Sequence, residues 1–290
     1  MADTSGQIDL QGLDVDKLAK GFSDDENVFK QFLTVTPTSA REMRWYQKTA
    51  GFITGTTTTN TTEDPIANSA FGTLPPIAEQ SWTRVTSYAK HYAVESPWLT
   101  YADIKDSDPD VLATNVRDLT RAVENQIDKR IYAVLSGSLY LSGSSLGTGW
   151  GDTTNGNPIM DLLSGATAIK QQGYDISNLK VLVHPNEYKN LLNYIITVKG
   201  SSIPSFASER VRDGVVLSVV GQGIVVSNNC TIGFPVQIVP QRVATWKSFT
   251  PITAITKDEP GVGVKIRVWE DGEILLTDPN AGHVILGANV

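Results

Sequence analysis

The side chains best suited to catalysis or metal binding are few in this 290-residue sequence. The three histidines, His91, His184 and His283, lie far apart and lack the short spacing that metal ligands on one helix require. His184 precedes a proline at a predicted helix start, where an N-cap is the simple interpretation. The single cysteine, Cys230, excludes an intramolecular disulfide and a multi-cysteine zinc site, and we expect it to be a small buried residue.

Local motifs for nucleotide binding and hydrolysis give no further candidate. The sequence has no GxGxxG after a predicted strand and no GxxxxGK[ST], and its Gly- and Ser-rich stretch at 137–157 contains no lysine. Asp152 and Asn155 lack the spacing of a calcium loop. Acidic pairs such as Asp24-Asp25 fall at predicted helix starts or turns, and a glycosidase pair is defined only in space. We therefore predict no catalytic, cofactor-binding or metal-binding residues, and no enzyme activity.

Composition restricts the classes of partner. The net charge is −7, from 24 Lys and Arg against 31 Asp and Glu, which argues against tight binding to nucleic-acid phosphates. Charged residues make up only 19% of the chain, and such a surface is compatible with large polar contacts between subunits. The N-terminus has neither the basic nor the apolar region of a signal peptide, and no run of 18 apolar residues exists, so we expect no membrane contact.

The elements that would position a site begin with an acidic arm and a hairpin. Residues 1–40 form the arm, for which we predict a short helix near Leu18 and another from Asp24 to Leu33. Within residues 41–100, one candidate strand begins at Arg44 and another runs from Trp82 to Val94. A stretch with six threonines in seven residues lies between them. Since neither face of the second strand is cleanly apolar, we predict a protruding hairpin with a Thr-rich distal part.

A long amphipathic helix follows the hairpin. Asp108-Pro109-Asp110 is a strong helix start, and Gly137 is a suitable stop. Between them the apolar residues recur every three or four positions, at Leu112, Val116, Leu119, Val123, Ile127, Ile131 and Val134. This stripe predicts a helix of ~28 residues, roughly 42 Å long, with one buried face.

The rest of the chain alternates between helix and strand and then becomes strand-rich. Residues 157–240 read as two helices among short strands, and residues 243–290 as strands with a tight turn at Asp271-Gly272. A second turn at Asp278-Pro279 precedes a closing strand, His283–Leu286. The pattern predicts an α+β protein.

This order of elements resembles the major capsid proteins of tailed double-stranded DNA viruses, which share the Hong Kong 97-type shell fold. The resemblance covers nearly the whole chain and depends on the order and lengths of elements, including the closing turn and short apolar strand at 278–286. It implies an N-terminal arm at 1–40, an extended loop at 41–100, a peripheral domain with the spine helix at 101–156 and 241–290, and an axial domain at 157–240.

The resemblance implies a structural protein of the virion. Copies of the subunit form hexamers and pentamers of an icosahedral shell, assembled in the host cytoplasm, with weak contact to the packaged double-stranded DNA. A separate scaffolding protein and a portal are implied partners, and a decoration protein is a further one. Two alternatives stay open: an encapsulin-type compartment shell of the same fold, and a secreted carbohydrate-binding or hydrolase module suggested by aromatic residues on one strand.

The contact residues between subunits are expected on the hairpin, whose distal part cannot bury itself. They are Thr56, Thr57, Thr58, Thr59, Asn60, Thr61 and Thr62 of the Thr-rich stretch, and Trp82, Tyr88 and Tyr92 of the second strand.

Overall fold

The structure is a computed structural model that describes residues 15–23, 28–49, 71–72, 82–102, 111–145, 149–152, 154–199 and 218–288. The chain divides into two compact units. Unit 1 comprises Met1–Met43, Thr86–Ile131 and Trp246–Leu275; unit 2 comprises Arg44–Val85, Tyr132–Thr245 and Leu276–Val290. The division into arm, extended loop, peripheral domain and axial domain stays a prediction.

Four helices and thirteen strands are named among the described residues. The helices are α1 (15–23), α2 (Val111–Ser138), α3 (Pro158–Gln171) and α4 (Pro185–Tyr194). The strands are β1 (Thr34–Pro37), β2 (Glu42–Lys48), β3 (Trp82–Tyr88), β4 (Lys90–Glu95), β5 (Leu99–Thr100), β6 (Leu141–Ser144), β7 (Lys180–Val183), β8 (Ser218–Val219), β9 (Gln222–Val226), β10 (Val236–Ile238), β11 (Ala244–Glu259), β12 (Gly263–Leu276) and β13 (Gly282–Leu286).

The predicted long helix is confirmed as α2, which has 28 residues. Val116, Val123, Ile127 and Ile131 of the apolar stripe are buried, whereas Leu119 is only half-buried. The same face also buries charged and polar residues that the apolar spacing does not reveal, namely Thr120, Glu124 and Asp128. Its predicted start at residues 108–110 lies outside the described residues.

The predicted hairpin is confirmed in its described part, because β2 and β3 pair as a two-stranded sheet. The expected single strand from Trp82 to Val94 is wrong. The chain leaves the strand at Ala89, and β4 joins a different sheet as the antiparallel neighbour of β12. One alternating pattern therefore covered two strands with different partners.

The five-stranded sheet has the order β1-β11-β12-β4, with β5 also paired to β12. The predicted turn at Asp271-Gly272 is wrong, since β12 runs straight through these residues and pairs Asp271 with His91 of β4. The chain turns at residues 260–262, where Gly261 has a φ of +81°. At Gly272 a Cβ atom would lie 2.6 Å from Cζ2 of Trp246, so the glycine permits close packing of β12 on β11.

Unit 2 contains a six-stranded sheet of order β6-β13-β10-β7-β9-β8. In it β7 is parallel to β9 and β6 is parallel to β13, whereas β10 is antiparallel to both of its neighbours. A buried apolar cluster covers this sheet with residues of α3 and α4; it consists of Trp150, Leu162, Val181, Val183, Leu191, Ile195, Val219, Ile285 and Ala288. The predicted alternation of helices and short strands is therefore correct for this region.

Both helices of unit 2 begin at a side-chain cap followed by proline. Asn157 Oδ1 accepts a hydrogen bond from the Met160 N–H at the start of α3. His184 Nδ1 accepts one from the Asn186 N–H at the start of α4, at 3.2 Å, which confirms the predicted N-cap. Of the helices in the described part of the chain, none combines the length and the apolar character needed to span a membrane.

Candidate functional site

The β2–β3 hairpin exposes large aromatic side chains. Tyr46 on β2 is 64% exposed, and Trp82 and Tyr88 on β3 are 49% and 60% exposed. Trp82, Arg84 and Tyr88 alternate along β3 and therefore share its outward face, as the sequence predicts. Tyr, Trp and Arg are enriched among the residues that contribute most of the binding energy at protein interfaces. This face is the strongest candidate contact surface among the described residues.

Tyr92 occupies a different environment from the other two predicted aromatic residues. It lies on β4, its ring is tilted against that of Trp246 at 6.3 Å between centroids, and its hydroxyl is buried. Burial raises the pKa of this hydroxyl above its ordinary value, and the carboxylate of Glu273 raises it further. Within one subunit Tyr92 packs on Trp246. Its role between subunits stays a prediction, as does that of Thr56–Thr62, which lie outside the described residues.

The base of the hairpin is held by hydrogen bonds inside unit 2. Trp45 Nε1 donates to the Leu276 carbonyl at 2.9 Å, and the backbone N–H of Lys48 donates to the Thr277 carbonyl. The buried Lys48 ammonium lies 3.3 Å from the Tyr174 hydroxyl, which donates to the carboxylate of Asp278 at 2.7 Å. Burial lowers the pKa of Lys48, while Asp278 raises it in part. These contacts fix β2 while leaving its outward side chains free of the core.

Residues 15–23 and 28–33 are held within unit 1 by a buried ion-pair cluster. Lys30 Nζ lies 2.9 Å from Glu124 Oε1 of α2 and 2.7 Å from Glu270 Oε2 of β12. The Ser23 hydroxyl also donates to Glu124, and Trp246 Nε1 donates to Glu270 Oε1 at 3.1 Å. One lysine therefore joins the N-terminal segment to a helix and a strand. We call Ser23, Lys30, Glu124, Trp246 and Glu270 the Lys30 cluster.

Burial and charge act in opposite directions on the pKa values of the Lys30 cluster. Burial lowers the pKa of Lys30, but the nearby carboxylates of Glu270 and Glu124 outweigh it and the net direction is upward. Burial raises the pKa of Glu270, and Lys30 offsets only part of that rise. Lys30 thus stays charged, and Glu270 is a weaker acid than an ordinary glutamate.

Asp128 holds the segment one helical turn further along α2. Its carboxylate oxygens accept backbone hydrogen bonds from Phe29 at 3.1 Å and Val28 at 3.2 Å. Burial raises its pKa to about 7, although these two N–H groups lower it in part. The side chain is fully buried, so this is an acid whose charge changes near neutral pH.

The described part of residues 1–40 packs within unit 1 of its own chain. Val15, Ala19, Phe29 and Leu33 are all buried within unit 1, and the helix expected from Asp24 to Leu33 is replaced at Lys30–Phe32 by a single 3₁₀ turn. The four-residue spacing of Val15 and Ala19 is the one local signal for the buried face of α1. The attachment of this segment could not be predicted from its acidic composition, because Lys30 and its partners Glu124 and Glu270 are distant in sequence.

The histidines and the cysteine form no catalytic arrangement among the described residues. His91 pairs with Asp271 at 2.5 Å on the surface, and His283 is buried on β13. Cys230 is buried, as predicted. The letters of residues 143–147 match GxSxG, but the Ser145 hydroxyl donates to the Gly287 carbonyl at 3.0 Å rather than to a histidine. The described part of the chain also holds no cluster of three or more potential metal ligands.

Comparison with known proteins gives one family and many related folds. The family model described as phage capsid protein matches residues 98–285. No curated protein sequence matches.

Among solved structures, the capsid of the Cyanophage P-SCSP1u is similar with a TM-score of 0.67 at 11% identity, covering 91% of this chain and 89% of that one. A virus-like particle from Pyrococcus furiosus gives 0.62 at 12% identity, with 95% and 99% covered. Mycobacterium phage Che8 gives 0.59 at 16% identity, with 87% and 86% covered. At these identities the structures share the fold.

Proposed function

The chain belongs to the phage capsid protein family, and we propose that its copies assemble into hexamers and pentamers that close an icosahedral shell around double-stranded DNA. The observation that carries the proposal is the family match, which spans α2 and most of both units. The protein is a capsid subunit with the Hong Kong 97-type fold, and its place is the shell of the virion.

The exposed face of the hairpin supports self-association. A two-stranded sheet is marginally stable alone and gains stability when one face is covered. Tyr46, Trp82 and Tyr88 offer a surface of the right composition for such a cover. Contacts between copies of the chain are therefore proposed to use this hairpin, including the predicted contact residues.

We further assign the subunit no enzyme activity. Three of its buried carboxylates serve structural roles: Glu124 and Glu270 pair with Lys30, and Asp128 accepts backbone hydrogen bonds. A separate scaffolding protein, a portal and a decoration protein are the proposed partners during assembly in the host cytoplasm. The net charge of −7 favours weak contact with packaged DNA, since like charges repel over short screened distances.

An encapsulin-type compartment shell is the alternative of the same fold. Since this alternative has the same fold, similarity of fold does not distinguish the two kinds of shell. The family match favours the virus. A carbohydrate-binding module is disfavoured for the same reason.

The test is to express the full chain and examine it by size-exclusion chromatography with light scattering and by negative-stain microscopy. We expect megadalton particles or ring-shaped capsomers. A compact monomer as the sole species would contradict the proposal. Particles that contain an enzyme cargo and no DNA would support the compartment shell, and binding to a glycan array without assembly would support the carbohydrate module.

A further inference from the structure

The sequence contains one asparagine that is followed by glycine, Asn155-Gly156, in the loop that precedes α3. An asparagine loses its side-chain amide as ammonia most readily at such a pair, because glycine has no Cβ atom to shield its backbone nitrogen. Asn155 is exposed, so the water that the reaction consumes has access to it. The local sequence therefore marks Asn155 as a candidate for deamidation, a slow covalent change that needs no enzyme.

Deamidation proceeds in two steps. The backbone nitrogen of Gly156 gives up its proton and bonds to Cγ of Asn155, while the bond from Cγ to Nδ2 breaks and ammonia leaves. Water then adds to one of the two carbonyl groups of the resulting cyclic imide and opens the ring. The product is aspartate or isoaspartate, which adds a negative charge and about 1 Da of mass. Two groups must therefore be free to move, the Gly156 N–H and the Asn155 side-chain amide.

Asp152 engages both of these groups. Its backbone carbonyl accepts a hydrogen bond from the Gly156 N–H at 2.8 Å, and its carboxylate oxygen Oδ2 accepts one from Asn155 Nδ2 at 3.1 Å. The other carboxylate oxygen, Oδ1, accepts from the backbone N–H groups of Thr154 at 2.8 Å and Asn155 at 3.2 Å. Hydrogen bonds to a charged acceptor are stronger than those between neutral groups. Attack on Cγ therefore requires that the bonds to the Gly156 N–H and to Nδ2 break first.

The backbone around this pair has little room to rearrange. Gly156 is buried, and a Cβ atom there would lie 2.0 Å from the Gly149 carbonyl oxygen. The next residue, Asn157, caps α3, and its Oδ1 also accepts a hydrogen bond from the Tyr194 hydroxyl at 3.1 Å. Bringing Cγ of Asn155 over the Gly156 nitrogen therefore requires local opening of the loop.

We propose that Asn155 is a deamidation site and that Asp152 keeps it unreactive while the loop is folded. The same contacts make the product unfavourable. A carboxylate in place of the Asn155 amide would face that of Asp152 at the position where Nδ2 now donates, and like charges at this distance repel. Isoaspartate would also add a carbon atom to the main chain beside the close-packed Gly156. Asp152 thus acts as a positioning residue that protects the folded chain from this covalent change.

The rate of deamidation at Asn155 tests the assignment. We expect the folded wild-type chain, incubated at mildly alkaline pH, to deamidate there at least tenfold more slowly than the same chain in guanidinium chloride. Mass spectrometry of the peptide that contains Asn155 measures both rates. Asp152→Ala removes the carboxylate and should raise the rate of the folded chain about tenfold. Asp175→Ala is the matched control and should leave the rate unchanged, since Asp175 accepts similar hydrogen bonds from Ser177 in a different turn.

Asp152→Asn provides a second, milder variant. It keeps an oxygen for the N–H groups of Thr154 and Asn155 but places an amide against Nδ2, so its rate should fall between those of the wild type and Asp152→Ala. Circular dichroism and melting curves identify the folded variants, and Asp152→Asn decides the outcome if Asp152→Ala does not fold.

A wild-type rate equal to that of the unfolded chain would overturn the inference. So would a folded Asp152 variant that deamidates no faster than the wild type, or an equal acceleration by Asp175→Ala. Because these rates are measured without reference to assembly, they test the inference separately from the proposed function.

Discussion

Unit 1 buries charged side chains between its N-terminal segment, α2 and β12, whereas unit 2 contains a buried cluster of aliphatic and aromatic side chains. The first arrangement depends on specific partners and on their ionisation, because a buried ion that loses its partner is strongly destabilising. The second depends on the amount of apolar surface removed from water, which does not change with pH. We therefore expect the stability of unit 2 to change little with pH and the attachment of the N-terminal segment in unit 1 to depend on it.

The largest effect on stability is expected from removing the positive charge of the Lys30 cluster in unit 1. Lys30→Met leaves two buried carboxylates without their cation, so we expect the free energy of unfolding to fall by about 4 kcal/mol. Urea unfolding of the unassembled chain measures it. Lys20→Met, on an exposed ion pair, is the control and should change little. Recovery is expected when Glu124→Gln and Glu270→Gln are added, and an equally unstable triple variant would show that packing, not charge, is at stake.

In unit 2 the corresponding test is a cavity. Leu162 is fully buried in the apolar cluster, and Leu162→Ala should cost about 3 kcal/mol through lost burial and the cavity that remains. Leu163→Ala removes the same atoms from an exposed neighbour and should cost far less. The loss at Leu162 should be the same at pH 5 and pH 8. A loss that varied strongly with pH would contradict the distinction between the two units.

A third variant examines how closely the strands of unit 1 pack. Gly272→Ala places a methyl group against the Trp246 ring and the Lys247 carbonyl, both within 3 Å of the new atom, and should cost about 2 kcal/mol. Thermal unfolding, with a change in Trp fluorescence, measures it. Gly137→Ala is the control, since nothing lies within 4 Å there and helix propensity favours alanine. A neutral Gly272→Ala would mean that β12 can move away from β11 at little cost.

The smallest effect per measured step is expected from the titration of Asp128, because its contribution is spread over several pH units. Its pKa is about 7 in the folded chain and ~3.9 when unfolded, so between these values the folded state binds more protons. The contribution of Asp128 to stability is therefore greatest below pH 4 and declines as the pH rises to 7, by at most about 1.4 kcal/mol per pH unit. Urea unfolding from pH 4 to 8 should show that Asp128→Asn removes this slope and that Asp118→Asn, on the same helix, retains it. Parallel profiles for all three proteins would refute the assignment.

Local repetition made the main elements predictable. The stripe from Val116 to Ile131 and the alternation in β3 each repeat a short period, so they indicated α2 and the outward face of Trp82 and Tyr88. Hairpin dipeptides are weaker evidence. Asp271-Gly272 resembles a turn, yet this glycine serves the close approach of Trp246 in the middle of a strand.

The Lys30 cluster had no such local signal. Glu124 and Asp128 interrupt an apolar stripe at positions where charged residues usually face solvent. Lys30, the partner of Glu124, lies 94 residues away in the chain, and Asp128 binds the backbone of Val28 and Phe29. Only the tertiary structure brings these groups together. For the same reason the acidic composition of residues 1–30 gave no sign that Val15, Ala19 and Phe29 are buried within unit 1.

The contact between Lys30 and Glu270 joins residues 240 positions apart, and this has a consequence for synthesis. At about 5 to 20 residues per second, a ribosome needs roughly 12 to 48 seconds to translate the segment between them. During that time the N-terminal segment has no Glu270 to bind, and its receiving strand β12 does not exist. While β12 is missing, Lys30 has only the carboxylate of Glu124 as a partner in the Lys30 cluster, so the cluster is complete only after the last strands have been made.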